Sequence, residues 1–191
     1  MSASLAYDAA WRPMQLCLSR CCGRLRTTDG TKTALRSLGR RWVQLDEEAT
    51  ALQAEITRIV CSIAPKLILR PGVGVLSAAQ LLVTTGDNPG RLRNEAAFAA
   101  LCGATPVDAS SGKTTRKRLS RGGDRSANAA LWMIAHVRMV RDPRTRDYAA
   151  RRVQRGNSRK EILRILKRYI ARELLPIVLE SVSPPTCTAV V

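Results

Sequence analysis

The clearest potential for chemistry in this 191-residue chain lies in two serines beside a cluster of cations. Ser110 and Ser111 precede Gly112, whose backbone freedom would let a hydroxyl swing towards a substrate. A serine hydroxyl can attack a phosphodiester, and nearby cations stabilise the charge that builds on the phosphate oxygens. A basic loop that only grips phosphate is the alternative interpretation. The cations that follow within nine residues are Lys113, Arg116, Lys117, Arg118 and Arg121.

The positive charge of the chain is large and unevenly distributed. Thirty-two Lys or Arg against 15 Asp or Glu give a net charge of +17. Between Ser111 and Arg172 there are 19 basic and 4 acidic residues. This concentration predicts a polyanionic partner for the C-terminal half, with nucleic acid as the first candidate. An anionic membrane surface is the weaker alternative, because the basic segment has few bulky aromatic anchors.

The cysteines do not indicate a zinc site or a disulfide framework. The single histidine, His136, is far from them in sequence and is expected in the core. No apolar run reaches the roughly 18 to 20 residues that cross a bilayer, and the N-terminus does not resemble a secretory signal. We therefore expect reduced thiols in a cytoplasmic protein with no metal ligands. The cysteines are Cys17, Cys21, Cys22, Cys61, Cys102 and Cys187.

Residues 31–64 are predicted to form a coiled-coil helix. Nine residues repeat with alternating spacings of 3 and 4, which places them on one seam with charged borders. An amphipathic helix lying on its own domain is the alternative; unbroken heptads favour a second copy of the chain as partner. Pro65 ends the run. The seam residues are Leu35, Leu38, Trp42, Leu45, Ala49, Leu52, Ile56, Ile59 and Ile63.

The segment around Pro71 resembles the turn of a helix-hairpin-helix motif. A short apolar helix precedes it and a second apolar helix follows to about Val83. In such a motif Gly72 and Gly74 would let the backbone approach a DNA phosphate, which the amides of the following helix then hold. An ordinary corner between two helices fits the same residues.

The rest of the chain is predicted to be mainly helical, with one small β-hairpin between Val107 and Leu119 that contains the serines. Asp124 is a candidate N-cap for a helix that runs to about Val140. Pro143 fits the first turn of the next helix, and Ser158 caps the last one. The fold class is therefore mainly α: a long coiled-coil helix followed by a compact helical domain.

Two expectations concern the packing of these last helices. Trp132 and Met133 are available to the core, beside an apolar face that includes Leu131. The last helix carries a basic stripe opposite its apolar face, and a solvated charged surface is the simplest interpretation of that stripe. The stripe consists of Arg164, Lys167, Arg168 and Arg172.

Five motifs in order resemble the C-terminal half of the IS110 group of insertion-sequence transposases. The likeness runs from roughly Arg24 to Leu179, and the heptads fall where that group has its coiled coil. The motifs are Arg-Pro-Gly-Val-Gly at 70–74, Ala-Ala-Phe-Ala-Ala-Leu-Cys-Gly at 96–103, Ala-Ser-Ser-Gly-Lys-Thr at 109–114, Arg-Gly-Gly-Asp-Arg-x-Ala-Asn-Ala-Ala-Leu at 121–131 and Arg-Asp-Pro-Arg-Thr-Arg at 141–146.

The resemblance implies a transposase domain with a catalytic serine. The serine before glycine maps onto Ser111, with Ser110 as the fallback assignment, and the implied reaction forms a phosphoserine link to DNA without a nucleotide cofactor. In this group an RNA made by the element guides the choice of target and donor DNA. The resemblance also implies a bacterial, nucleoid-associated protein in the cytoplasm. The expected DNA-binding residues are Gly72, Gly74, Lys113, Arg116, Lys117, Arg118, Arg121 and Arg125.

Members of the group also carry an N-terminal RuvC-like domain that binds Mg²⁺ through carboxylates. Residues 1–30 contain only Asp8 and Asp29 as acidic residues, so we expect that domain, and its metal, to be missing here. The predicted organisation is an irregular segment at 1–30, the coiled-coil helix at 31–64, the transposase-type domain at 65–181 and a disordered tail at 182–191. A non-catalytic remnant that binds nucleic acid and dimerises is the alternative function.

Overall fold

The computed structural model describes residues 29–86, 90, 92–108, 117–120 and 122–182. The expected irregular segment up to residue 28 and the tail from residue 183 lie outside the described residues. The chain divides into two compact units, Met1–Glu55 and Ile56–Val191.

One long helix dominates the described part of the first unit. Helix α1 spans Asp29–Ile63 and is 35 residues long, so the single unbroken helix predicted from the heptads is confirmed. The seam leucines Leu38, Leu45 and Leu52 are exposed. Because helices in proteins gain most of their stability from packing an apolar face, this exposed seam favours a partner helix. Pairing itself stays a prediction.

The second unit is helical with one small antiparallel sheet, which confirms the mainly α fold class. Strands β1 (Pro106–Asp108) and β2 (Lys117–Leu119) form the sheet. Among the described residues, no helix has the length and apolar character needed to span a membrane. The helices of this unit after α1 are α2 (Pro65–Ile68), α3 (Val75–Thr85), α4 (Glu95–Leu101), α5 (Arg125–Arg141), α6 (Pro143–Gln154) and α7 (Arg159–Val182).

Helices α5 and α7 form the centre of the second unit. Helix α5 packs against α3, α6 and α7, and α7 also packs against α4. The buried face of α5 is rich in alanine, which lets neighbouring helices approach closely. Helix α7 buries two adjacent rows at helical spacing, as an amphipathic helix in a core does. The buried apolar residues of α7 are Ile162, Leu163, Leu166, Ile170, Ala171, Leu174, Leu175, Ile177 and Val178.

The starts of the last three helices follow the predicted signals. The Asp124 carboxylate accepts a backbone amide in the first turn of α5. Helix α6 begins at Pro143, where a missing N–H costs nothing. Ser158 Oγ accepts from the Glu161 amide at 3.3 Å, and the Glu161 carboxylate accepts from the Ser158 amide at 2.8 Å. This reciprocal capping box fixes the entry into α7.

The corner between α2 and α3 is clamped to the core by Arg138 of α5. Its Nε donates to the Pro71 carbonyl at 2.7 Å, and its NH1 group donates to Glu173 of α7 at 2.6 Å. Gly72 has a φ of +76°, and a Cβ there would lie 2.9 Å from Cγ of Arg138. The missing side chain therefore lets the corner pack on α5. DNA binding by Gly72 stays a prediction.

The expectation that Trp132 and Met133 join the core is wrong. Their side chains are 41 % and 48 % exposed. The buried face of α5 is centred on Leu131, and each following residue turns away by about 100° around the helix axis. Trp132 and Met133 therefore point away from the packed neighbours of α5.

Gly123 is expected to be the least replaceable glycine of the described chain. It has a φ of +95°, and an added Cβ would lie 2.5 Å from the Ala100 carbonyl oxygen. Gly123→Ala should lower the free energy of unfolding by about 3 kcal/mol, of which the left-handed backbone accounts for about 1–2 kcal/mol and the close contact for the rest. Urea unfolding followed by circular dichroism measures this.

Gly156→Ala is the matched control, because Gly156 has a φ of +83° and an added Cβ would meet nothing within 4 Å. It should show the backbone cost alone. Equal losses in the two variants would contradict the close packing at Gly123.

Candidate nucleic-acid interface

The predicted hairpin is present, and it frames the serine segment. Val107 pairs with Arg118, and Asp108 pairs with Lys117 at the end of the ladder. The side chains of Asp108 and Lys117 also form an ion pair. Residues 109–116, which join the two strands in the sequence, lie outside the described residues, and so does Arg121. The candidate residues among them are Ser110, Ser111, Lys113 and Arg116.

Asn128 of α5 holds the base of the hairpin. Its Nδ2 donates to the carbonyls of Cys102 and Gly103, at 3.0 and 2.8 Å. Gly103 has a φ of +61°, and a Cβ there would lie 2.9 Å from Nδ2 of Asn128. Because Gly103 comes three residues before β1, these contacts fix the point from which the hairpin leaves the core.

Asp124 ties the start of α5 to α3. Its Oδ2 accepts from Thr84 Oγ1 at 2.6 Å, and its Oδ1 accepts from the Ser126 amide at 2.8 Å. The hydrogen bond from Thr84 is the main reason that the pKa of Asp124 is lowered from its ordinary value of 3.8. The carboxylate charge of Asp124 is therefore used within the fold.

Lys167 of α7 is a buried cation next to Asn128. The residue is only 4 % exposed, and its Nζ donates to Asn128 Oδ1 at 2.8 Å. Burial lowers the pKa of Lys167 from 10.5, and repulsion from Arg164 lowers it further. No carboxylate in the described part of the chain forms an ion pair with Lys167. Its charge is thus held by neutral oxygen and adds to the positive potential nearby.

Two cavities meet at Arg164 and Lys167, which line both. The first, which we call the hairpin pocket, has a volume of about 350 Å³ and lies between the hairpin base and α7; its lining includes Thr105, Arg118, Asn157 and Tyr169. The second, the α5/α7 groove, has a volume of about 740 Å³; its lining includes Asp124, Arg125, Asn128, Trp132 and Lys160. Both have the size of ligand sites.

The described candidate DNA-binding residues fall in three places. Lys117 and Arg118 are exposed on β2, and Arg125 is exposed as the first residue of α5. Gly72 and Gly74 belong to the α2–α3 corner, where Gly74 is the N-cap of α3 and an added Cβ would meet nothing within 4 Å. The structure therefore brings the cations to the hairpin and the groove and leaves the glycines in a separate turn.

The interpretation of the α7 basic stripe as a solvated surface is wrong in part. Lys167 is buried, and Arg164 donates to the Lys117 carbonyl at 2.9 Å. Arg168 donates to the Glu95 carbonyl at 2.8 Å. The stripe faces the hairpin and α4 because both pack on this side of α7, which no local pattern in the sequence encodes. A lysine in register with the apolar rows was the one available signal.

The described residues offer no site that fits Mg²⁺. No group of three or more His, Cys, Asp or Glu side chains within them lies close enough to hold a metal ion. His136 is partly buried and stacks on Trp132, with ring centroids 5.1 Å apart and an angle of 6° between the planes.

The comparisons with known proteins point to one family. A family model described as the transposase IS116/IS110/IS902 family matches residues 65–150. An uncharacterized 43.6 kDa protein of insertion element IS110 from Streptomyces coelicolor is 34 % identical over 139 residues. That alignment covers 71 % of this chain and 34 % of the relative. Residues 65–150 contain the α2–α3 corner, the hairpin and all of α5.

Lys167 should make stability depend on pH in the alkaline range. At pH values where Lys167 is charged in both the folded and the unfolded state, burial of its charge lowers the free energy of unfolding by the full amount. As pH rises towards 10.5, the folded state loses the proton before the unfolded state does, so the free energy of unfolding rises by up to about 1.4 kcal/mol per pH unit. Lys167→Met should remove this rise, as measured by urea unfolding at stepped pH.

Titration of Cys102 changes the free energy of unfolding in the opposite direction over the same pH range. The effect of Lys167→Met is therefore measured in a Cys102→Ala background. Burial raises the pKa of the Cys102 thiol from 9.0 to about 12. Its contribution to stability is present below pH 9.0 and is lost as pH rises towards 12. Parallel pH profiles for Cys102→Ala and the double variant with Lys167→Met would contradict the burial of a charged Lys167.

Proposed function

We propose that this chain is a DNA strand transferase whose nucleophile is Ser111, because its residues 65–150 match the model of the IS116/IS110/IS902 family of transposases. The family supports a role in transposition or recombination. DNA binding, the serine chemistry and self-association are our proposals for this chain. The observation that supports them is the hairpin. Its base is fixed to the core, exposed cations lie beside it, and the serine segment joins its two strands in the sequence.

The hairpin base supplies the rigidity that such chemistry needs. Asn128 holds the carbonyls of Cys102 and Gly103, which precede β1, and Arg164 holds the carbonyl of Lys117 on β2. The segment that leads into β1 and the strand β2 are therefore both tied to the central helices by side chains. A nucleophile gains most from a scaffold that fixes its approach to the scissile bond.

The proposed step exchanges one phosphate ester for another. Ser111 Oγ bonds to phosphorus, the sugar oxygen leaves the same phosphorus, and the serine proton ends on that leaving oxygen. A strand-end hydroxyl then attacks the phosphoserine and restores the serine hydroxyl. Arg116, Arg118 and Arg121 would stabilise the charge on the phosphate oxygens, and Lys113 would bind phosphate or assist proton transfer.

We also propose that α1 pairs with a second copy of the chain. Its exposed seam leucines need an apolar partner, and charged residues border the seam at Arg41, Asp46, Glu48 and Glu55. Guide RNA remains a further candidate partner. Any Mg²⁺ would come from a domain that the described residues do not supply.

The nucleophile is tested by trapping a covalent adduct on labelled junction DNA of an IS110-group element. A full-length relative with its own serine replaced by alanine supplies the rest of the machinery and the metal. We expect a DNA adduct on the 20.9 kDa chain in a denaturing gel. Ser111→Ala should abolish it, because no other atom replaces Oγ.

Ser110→Ala is the matched control and should retain the adduct, since it removes the neighbouring hydroxyl and leaves Ser111. Loss of the adduct only in Ser110→Ala would move the nucleophile by one residue. No adduct with the wild-type chain would contradict the catalytic proposal and leave the non-catalytic, nucleic-acid-binding alternative.

The seam is tested by placing a charge on it. Leu45 is 45 % exposed on the seam of α1, and Leu45→Glu should convert the dimer to a monomer, because a buried unpaired carboxylate costs several kcal/mol. Ala54→Glu introduces the same charge on the opposite side of the heptad and should leave the mass unchanged. Light scattering after size-exclusion chromatography gives both masses; a monomeric wild type would contradict the pairing.

A further inference from the structure

The α5/α7 groove has opposed walls on two helices, both in the second unit. Arg125, Asn128 and Trp132 lie three and four residues apart on α5 and therefore share one face. On α7, Lys160, Arg164 and Lys167 repeat the same spacing. The groove between these faces has a volume of about 740 Å³, and its described lining residues lie outside the serine segment at 109–116 in the sequence.

The groove is strongly positive. Among the described residues that line it, four are cationic, Arg125, Lys160, Arg164 and Lys167, and one, Asp124, is a carboxylate. Asp124 already accepts hydrogen bonds from Thr84 and from its own helix. Within the described residues, no acidic side chain pairs with Arg125 or Lys160, and both are exposed. This arrangement fits a ligand with more than one negative charge.

Trp132 adds an aromatic surface to these charges. Its side chain is 41 % exposed although it is one of the largest apolar groups in the chain. The His136 ring lies against it at 5.1 Å and nearly parallel, which fixes the plane of the indole. A fixed, exposed aromatic plane beside phosphate-binding cations is how proteins hold the bases of single strands.

We propose that the α5/α7 groove binds an unpaired stretch of nucleic acid, with a base stacked on Trp132 and phosphates at Arg125, Lys160 and Arg164. Duplex is disfavoured because a stacked base must offer a free face, which its neighbours cover inside a helix. The phosphates and bases of DNA and RNA share this chemistry, so the groove accepts either strand. The proposal goes beyond strand transfer and does not depend on Ser111.

The test uses the full chain and fluorescence anisotropy with labelled single-stranded DNA, single-stranded RNA and blunt duplex of one sequence. Trp132→Ala should weaken single-strand binding by roughly 5- to 150-fold, the equivalent of one stacked base, and change duplex binding by less than about twofold. Trp132→Phe should recover part of the loss. The relative effect on DNA and RNA identifies which strand the groove prefers.

Met133→Ala is the matched control, because Met133 is the next residue of α5, is 48 % exposed and does not line the groove. It should bind every probe as the wild type does. Lys160→Gln, a substitution on the other wall, should lower the slope of log affinity against log salt for single strands by about 0.7.

Three outcomes would overturn the proposal. They are equal losses on single strand and duplex in Trp132→Ala, no loss on either, and a loss as large in Met133→Ala. Should Trp132→Ala unfold, the Trp132→Phe and Lys160→Gln measurements decide alone. If the chain forms the Ser111 adduct and its single-strand binding does not depend on Trp132, the groove proposal is contradicted and the proposed function still stands.

Discussion

The second unit depends on one close contact, the meeting of the α4 end, the hairpin base and the start of α5. Gly103 and Gly123 each have a left-handed backbone, and the space that a Cβ would need is filled by neighbouring backbone or by Asn128. The Asp124 amide donates to the Leu101 carbonyl at 2.7 Å across this contact. Without both glycines the end of α4 could not approach the start of α5, and Asn128 would lose its hydrogen bonds to the carbonyls of Cys102 and Gly103.

The same contact explains how a protein with this net charge keeps its cations fixed. Arg164 donates to the Lys117 main-chain carbonyl and Lys167 donates to the Asn128 amide oxygen, whereas Arg168 also pairs with the Glu95 carboxylate. Neutral acceptors orient a cation and leave its charge uncompensated, whereas carboxylates would cancel the charge. Arg138 shows the contrast, since its bidentate pair with Glu173 serves packing alone. The surface near the hairpin is therefore ordered and positive together, which favours binding of a polyanion.

Features set by neighbours in sequence could be predicted. The α1 heptads, the caps at Asp124 and Ser158 and the hairpin between Val107 and Leu119 are local signals, and the structure places helices and strands there. The burial of Lys167 and the exposure of Trp132 depend on which helices pack around α5 and α7. That information is spread over residues far apart in the chain, so a helical pattern alone assigns these two side chains wrongly.

The segment that matches the family model ends before the site does. Residues 65–150 contain the hairpin and α5, whereas Arg164, Lys167 and Lys160 come from α7, which begins at Arg159. Helix α7 also supplies the largest share of the buried apolar side chains of the second unit. The matched segment alone would expose the faces of α4 and α5 that α7 covers and would lose one wall of both cavities. The candidate interface must therefore include α7.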